Sequence, residues 1–130
     1  MREATTATHI VQVGTVGISV SDQDRALEFY EGKLGFEVRL DGSLGDGQRW
    51  IEVAPPGAIT TIVLVRADQG LVTGVDTQVR FTSTNVQADY DALRDRGIDV
   101  DPGILQYPVP MFAFRDQDDN RLVVVERPNE

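Results

Sequence analysis

Two periods of hydrophobicity follow one another along the chain, and the succession occurs twice. From Thr15 the apolar residues Val16, Ile18 and Val20 alternate with Thr15, Gly17 and Ser19. A period of two predicts a strand with one face on a core and the other on something more open. Ser21 and Asp22 then supply the oxygen acceptors that cap a helix start. Leu27, Tyr30 and Leu34 follow at i, i+3 and i+7, an amphipathic helix closed by Gly35. Three further strands are predicted over Phe36 to Leu40, Arg49 to Ala54 and Thr60 to Val65, separated by a Gly-rich loop, "DGSLGDGQ", and a "PPGA" turn.

The same order returns in "TQVRFTSTNVQADYDALRDRGIDV". Val79 and Phe81 oppose Gln78, Arg80 and Thr82. Thr84 with Gln87 has the spacing of a capping box, Val86, Tyr90 and Leu93 form the helical stripe, and Gly97 ends it. Asp22 to Asn85 and Thr15 to Gln78 are both offsets of 63, and Gly35 to Gly97 is 62. Strands over Val109 to Phe114 and Leu122 to Val125 complete the second unit, joined by Asp116 to Asn120. That junction, "FRDQDDNRLVVVE", has the alternate Asp and Asn residues of a calcium loop. Counting from Asp116, however, its sixth and twelfth positions hold Arg121 and Arg127, where such a loop needs Gly and a bidentate Glu. Asp and Asn are equally the residues of tight turns, and a turn is the expectation here.

The expected fold class is therefore α+β: two tandem βαβββ modules in one domain, residues 10–65 and 75–126 with a linker at 66–74. One helix on one sheet face buries only that face. Two such units side by side are expected to make a curved, roughly eight-stranded mixed sheet around a cleft, with the helices on the outer face. The cleft side then receives Thr15, Gly17, Ser19, Gln78, Arg80 and Thr82, and by parity Trp50 and Glu52, with Thr61, Val63, Arg121 and Val123 following.

At 130 residues the chain suffices for one domain with a real core. It has no cysteine, which removes disulfides, thiolate metal sites and a cysteine nucleophile. No apolar run approaches the roughly 20 residues that span a bilayer. The first eight residues, "MREATTAT", lack the apolar stretch of a secretory signal and read as a loose arm, so a cytoplasmic protein is expected. Net charge is −9, from 21 acidic and 12 basic residues. This balance argues against nucleic acid and anionic membrane surfaces as partners, since both are bound by neutralising phosphates with Lys and Arg. It would attract a cationic ligand.

The stretch "VSDQDRALEFYEGKLGFEV", the turn "FRDQDDN" and the middle segment "RWIEVAPPGAITTIVLV" resemble the vicinal oxygen chelate superfamily, which includes glyoxalase I, bleomycin-resistance proteins, fosfomycin-resistance enzymes and extradiol dioxygenases. The resemblance covers about residues 10 to 126 and implies paired βαβββ modules. It does not choose a function, because one fold hosts many. Metal-dependent members hold a divalent ion with His or Gln and Glu from equivalent strands. Those positions match Thr15, Gln78, about Val63, and Val123. Valines coordinate nothing, and Gln78 alone cannot hold a dication. The only histidine, His9, falls six residues from the matching position. No metal and no cofactor are expected.

Without a Lewis acid, what remains is a lined cleft. Trp50 can stack on a flat ligand, Tyr107, Met111 and Phe112 can wall one end, and Arg80 can meet a carboxylate or pair with Glu52. Glu52 is the one candidate acid–base residue: an apolar wall of Trp50 would raise its pKa and a nearby Arg80 would lower it. The expected ligand-binding set is Thr15, Trp50, Glu52, Gln78, Arg80, Tyr107, Met111 and Phe112. Two function classes stand open, with a module that only dimerises or binds protein as a third. One is a metal-free binding protein for a flat or cationic natural product. The other is a lyase, isomerase or dioxygenase of the same fold with an atypical metal site or with Glu52 as acid–base group. A homodimer is expected, since an open sheet leaves edges that a second copy can cover. Protein exposed to Zn²⁺, Ni²⁺ or Mn²⁺ and then desalted should retain less than one ion per chain by elemental analysis; one tight ion per chain would overturn the metal-free expectation.

Overall fold

β1 (Thr15–Val20) buries Ile18 and Val20 and leaves Thr15 and Gly17 exposed, as its alternation requires. The computed structural model describes residues 8–68 and 70–127; the expected arm, apart from Thr8, and linker position Gln69 lie outside them. After β1 come α1 (Gln23–Leu27) with its π-helical continuation (Glu28–Lys33), β2 (Glu37–Gly45), β3 (Gln48–Ala54) and β4 (Thr61–Arg66). The second half contributes β5 (Asp76–Ser83), α2 (Val86–Asp95), β6 (Met111–Arg115) and β7 (Arg121–Glu126). Among the described residues no helix is long and apolar enough to cross a membrane.

The α+β expectation holds, with the strands divided between two sheets. One has the order β1-β4-β3-β2, the other β5-β7-β6; β1–β4 and β5–β7 are parallel and the remaining pairs antiparallel. Seven strands form. The place of an eighth is held by two isolated bridges, Val100 to Phe114 and Leu105 to Met111. The cause lies in "DPGILQYPVP", where three prolines remove ladder donors. Pro110 likewise makes β6 begin at Met111 instead of Val109.

One core serves both sheets. Ile18, Ile51 and Leu64 of the first pack with Phe114, Leu122 and Val124 of the second, and Val86, Tyr90 and Leu93 of α2 join them. An aromatic chain crosses the middle: ring centroids of Phe36 and Phe81 are 5.4 Å apart, Phe81 and Phe114 6.3 Å, and Phe114 and Phe29 6.4 Å.

Three local expectations are corrected. The first helix packs the expected Leu27, Tyr30 and Leu34 against the core, but they are only part of its buried face. The Leu34 N–H donates to the Phe29 carbonyl (2.9 Å), an i→i+5 bond, and the widened turn sets Phe29 and Tyr30 both on the core side with Gln23 and Ala26, leaving Leu27 and Leu34 half-buried. "DGSLGDGQ" is a hairpin, not a loop: β2 runs to Gly45, and only Asp46 and Gly47, with φ of 52° and 75°, turn the chain into β3. An Asp-Gly pair is the residue choice for that two-residue turn. The cap of α2 is Asn85, whose side chain accepts from the Ala88 N–H (3.0 Å), while Gln87 bonds Asp91 instead of closing a box with Thr84.

The Asp116 to Asn120 junction is a turn. Each Asp116 oxygen accepts two bonds: Oδ1 from the backbone N–H of Asp118 and Asn120, Oδ2 from the Tyr30 hydroxyl (2.7 Å) and the Asn120 amide (3.0 Å). Asn120, fully buried, also donates to the Ser19 carbonyl and accepts from the N–H groups of Gly74 and Val75. Asp118 is bonded by the Ser21 backbone and hydroxyl. With every Asp116 oxygen engaged by protein donors, none is left to face a cation.

Burial pushes the Tyr30 phenol well above its ordinary value of 10.0, and the Asp116 charge adds to the rise. A raised folded pKa gives stability that is complete below the unfolded value and is lost as pH rises through the folded one. Tyr30→Phe should therefore lower the unfolding free energy at neutral pH by about 1.5–3 kcal/mol, the scale of a bond to a charged group. It should also blunt the alkaline loss of stability above pH 10. Urea unfolding of both proteins at neutral and alkaline pH measures both effects.

Candidate functional site

The face of the first sheet turned away from the core carries Thr15 and Gly17 on β1, Thr61 and Val63 on β4, and Trp50 and Glu52 on β3. Thr15 lies opposite Thr61, Gly17 opposite Val63, and Val63 opposite Glu52. At its centre the Trp50 indole N–H donates to Glu52 Oε2 (2.7 Å) and the Thr61 hydroxyl to Oε1 (2.7 Å). These two bonds, Trp50's first, hold the Glu52 carboxyl below its ordinary value against the opposing effect of burial. Trp50 thus acts on Glu52 as a donor and not as an apolar wall. A carboxylate that stays ionised, with both oxygens engaged, is a weak base and has no proton to give near neutral pH.

On the second sheet β5 breaks its ladder. Between the pairs Asp76–Arg121 and Arg80–Val123, β5 takes four steps while β7 takes two, a bulge that re-aims side chains. Gln78 sits in it at φ 63°, a left-handed conformation uncommon for a residue with a Cβ. Local bonds hold it there: the Gln78 N–H donates to Asp76 Oδ1 (3.0 Å), the Val79 N–H to Thr77 Oγ1 (3.1 Å), and the Thr77 hydroxyl to the Arg121 carbonyl (2.8 Å). Beyond the bulge, Gln78, Arg80 and Thr82 are exposed while Val79 and Phe81 turn inward.

These residues line a concavity of about 870 Å³ between β5, the 55–62 segment, Val16 and Arg127. Pro55, Pro56, Ile59, Ile62, Val79 and Phe81 make its apolar part, a composition and size suited to a small organic ligand. The Gln78 amide and the Thr82 hydroxyl make no hydrogen bond among the described residues, and the Arg80 guanidinium makes only a long contact, 3.5 Å, with the Gln78 carbonyl.

Of the expected ligand-binding residues, Gln78 and Arg80 are in this lining and Thr15 stands beside it, next to Val16 and opposite Thr61. Trp50 is 39% exposed and lines a separate pocket of about 160 Å³ with Leu44, Arg49 and Val65. The Arg80–Glu52 pair does not form: among the described residues Arg80 makes no ion pair, and Glu52 is taken by Trp50 and Thr61. Phe112 is a core residue, 1% exposed, its ring edge-on to Tyr90 at 5.2 Å; β6 alternates, and Phe112 falls on the face of Phe114. Tyr107 is 87% exposed and neither it nor the half-buried Met111 reaches the concavity. Sequence reasoning missed Arg127 and the 55–62 wall. Of the wall, Thr61 was placed on the cleft side and residues 55–58 were legible only as a turn, while nothing local marks Arg127, which arrives because its N–H bonds the Ser83 carbonyl (2.8 Å) beside the end of β5.

The donor set at the positions that match metal ligands does not fit a divalent ion. Thr15 and Gln78 are neutral and exposed, and Val63 and Val123 are hydrocarbon and buried. Among the described residues no group of three or more His, Asp or Glu is arranged to hold one.

A model of the Glyoxalase/Bleomycin resistance protein/Dioxygenase superfamily matches residues 9–124. The chain belongs to this superfamily. It is 31% identical to TnmS3, an antibiotic binding protein from Streptomyces sp. CB03234, with a TM-score of 0.84 over 94% of this chain and all of that one. A superfamily member from Sphaerobacter thermophilus DSM 20745 superposes with a TM-score of 0.86 at 30% identity, over 92% of this chain and all of the other. The uncharacterized protein YetH of Bacillus subtilis (strain 168) is 28% identical over 122 residues, which are 90% of this chain and 99% of YetH. For this superfamily member the fold is therefore fixed, and its function is a matter of the lining just described.

Trp50 is the chain's single tryptophan, so its emission reports on Glu52 directly. A depressed folded pKa contributes stability above the unfolded value and loses it as pH falls through the folded one; partial exposure keeps that contribution small. The fluorescence of Trp50 should titrate with an acid midpoint below 4.5, and Glu52→Gln should abolish that titration while leaving the fold intact.

Proposed function

We propose that this superfamily member is a small-molecule-binding protein that holds a flat, largely apolar ligand in the concavity between β5 and the 55–62 segment, without a metal. The observation that carries the reading is the lining itself: an apolar floor with a row of polar heads, Gln78, Arg80 and Thr82, whose side chains are little used by the protein's own hydrogen bonds. A few polar groups left free beside an apolar floor are the ordinary means of orienting a ligand in a cleft. The description of TnmS3 as an antibiotic binding protein supports binding as the activity of a related chain. Thr15 and Thr61 stand at the first-sheet side of the concavity and would border the ligand there.

A homodimer fits this reading. Ile10, Val11, Val13 and Ile59 are 65–90% exposed, and the segment they lie on is tied together by the Thr60 hydroxyl bonding the Val13 carbonyl (2.8 Å). Such an apolar ribbon beside an open concavity is a surface that a second copy would cover.

The test joins a panel of flat aromatic natural products to thermal unfolding and mass spectrometry. A true ligand at a hundred times its Kd should add about 2.7 kcal/mol of stability, a shift of several degrees, and should be recovered unchanged. Native mass spectra should show a dimer carrying it. Consumption of the ligand, abolished by Glu52→Gln with binding retained, would replace the binding reading with an enzymatic one.

A further inference from the structure

The chain's overall charge points one way and the concavity beside β5 points the other. With 21 acidic and 12 basic residues, most cations should be matched by a neighbouring carboxylate. Six arginines are: Arg39, Arg49, Arg66, Arg94, Arg115 and Arg121 each have one within 4.0 Å. Arg25, Lys33, Arg80, Arg96 and Arg127 have none among the described residues, and two of these, Arg80 and Arg127, face the concavity. Among the described residues they are the charged residues that line it, and no Asp or Glu does. On the first-sheet side Glu52 lies outside the lining, bonded by the hydroxyl of Thr61, which is in it.

Resting on the binding reading above, we infer that the concavity selects an anion: a planar, largely apolar molecule bearing a carboxylate or phenolate that meets Arg80 and Arg127. Arg80, Gln78 and Thr82 present donors at alternate positions of one strand face, a spacing of about 7 Å between neighbours. A guanidinium with its fork uncommitted is the side chain best shaped to take a carboxylate in two parallel bonds. The Gln78 amide and the Thr82 hydroxyl can donate to the same group or to a ring carbonyl beside it. The apolar body has its own place. The concavity shares Pro55, Pro56, Phe81 and Thr82 with an adjoining niche of about 300 Å³ floored by Phe36 and Phe114. Asp89 and Arg96 also border that niche, where Asp89 is engaged by the Ser83 hydroxyl and Arg96 by the Lys33 carbonyl. The net charge of −9 acts at long range, and salt screens it beyond about 8 Å; contact with Arg80 acts within 3 Å and decides selectivity. The expectation drawn from net charge, a cationic ligand, is thereby reversed.

Three probes of one shape separate the cases: 2-naphthoate, 2-naphthamide and 2-naphthylmethylammonium, each titrated against the full chain by amide NMR. Shifts should concentrate on β5 and residues 55–62, with the carboxylate binding about tenfold more tightly than the amide and the ammonium weakest. Arg80→Gln should bring the carboxylate down to the affinity of the amide, and leave the amide within twofold of its original value. Equal affinity of the three probes, or preference for the ammonium, overturns the charge selection alone. A loss shared by all three in Arg80→Gln overturns it also, by making Arg80 a structural residue. Failure of every probe to shift β5 overturns the binding reading and this inference together.

Discussion

The structure depends on a requirement that buried polar atoms find partners, and the Asp116–Asn120 turn meets it with groups from three parts of the chain. Asn120 is completely buried and makes four side-chain bonds, to Ser19 in β1, to Gly74 and Val75 before β5, and to Asp116 in its own turn. Asp116 adds Tyr30 from the first helix. Remove either residue and several buried groups lose partners at once, so the turn joins the two sheets as firmly as the aromatic core beneath it. The same clasp reaches the site. Val75 leads directly into β5, and its carbonyl accepts from the Arg121 N–H (2.8 Å) at the start of β7. The point at which β5 enters its sheet is thereby fixed, and the bulge at Gln78 follows three residues later.

That bulge is where packing gives way to an open polar face. Four residues on β5 spanning two on β7 cannot all pair, and a non-glycine residue at positive φ is strained. The neighbouring Asp76 and Thr77 side chains stabilise the distortion by local bonds, in place of the ladder bonds that are absent. What the distortion provides is a row of polar heads that the sheet itself does not use. The first sheet does the opposite with its polar residues. Trp50, Glu52 and Thr61 satisfy one another, so the carboxylate on that open face keeps its charge but has both oxygens already occupied. Two sheets of similar construction thus present different chemistry, one closed on itself and one open.

Much of this was legible in the sequence. Alternation placed β1, β3, β4 and β7 within a residue or two, and the stripe of Val86, Tyr90 and Leu93 was read correctly because α2 is a regular helix. The first helix was read only in part: Leu27, Tyr30 and Leu34 do pack on the core, but periodicity assumes 3.6 residues per turn and a π-turn adds Phe29 to the buried face. Phe112 was misassigned for a related reason: in "YPVPMFAF" every second residue is apolar and so is the residue between, and only the ladder with β7 decides which side faces the core. The parity argument did place Gln78 and Arg80 on the exposed face of β5, along which exposure alternates. What parity cannot supply is distance between sheets. It put Glu52 and Arg80 in one space because both lie on open faces, yet the two residues find other surroundings.

The loss of metal donors in this chain is coupled to its packing and is not a single substitution from reversal. Val63 and Val123 occupy matched positions in the two sheets, and both are nearly inaccessible, 4% and 9% exposed, although each lies on the face opposite the main core. A carboxylate placed at either site would lose its hydration before any ion was present to compensate, a cost of several kcal/mol for an unpaired buried charge. Thr15 and Gln78 would at the same time have to become strong donors, and Gln78 is held at an angle set by the bulge. The hydrocarbon at Val63 and Val123, the self-contained Trp50–Glu52–Thr61 group and the open donors of β5 are therefore one consistent arrangement. Coordination chemistry is absent from the matched positions of both sheets, and the polar heads left open are those of β5.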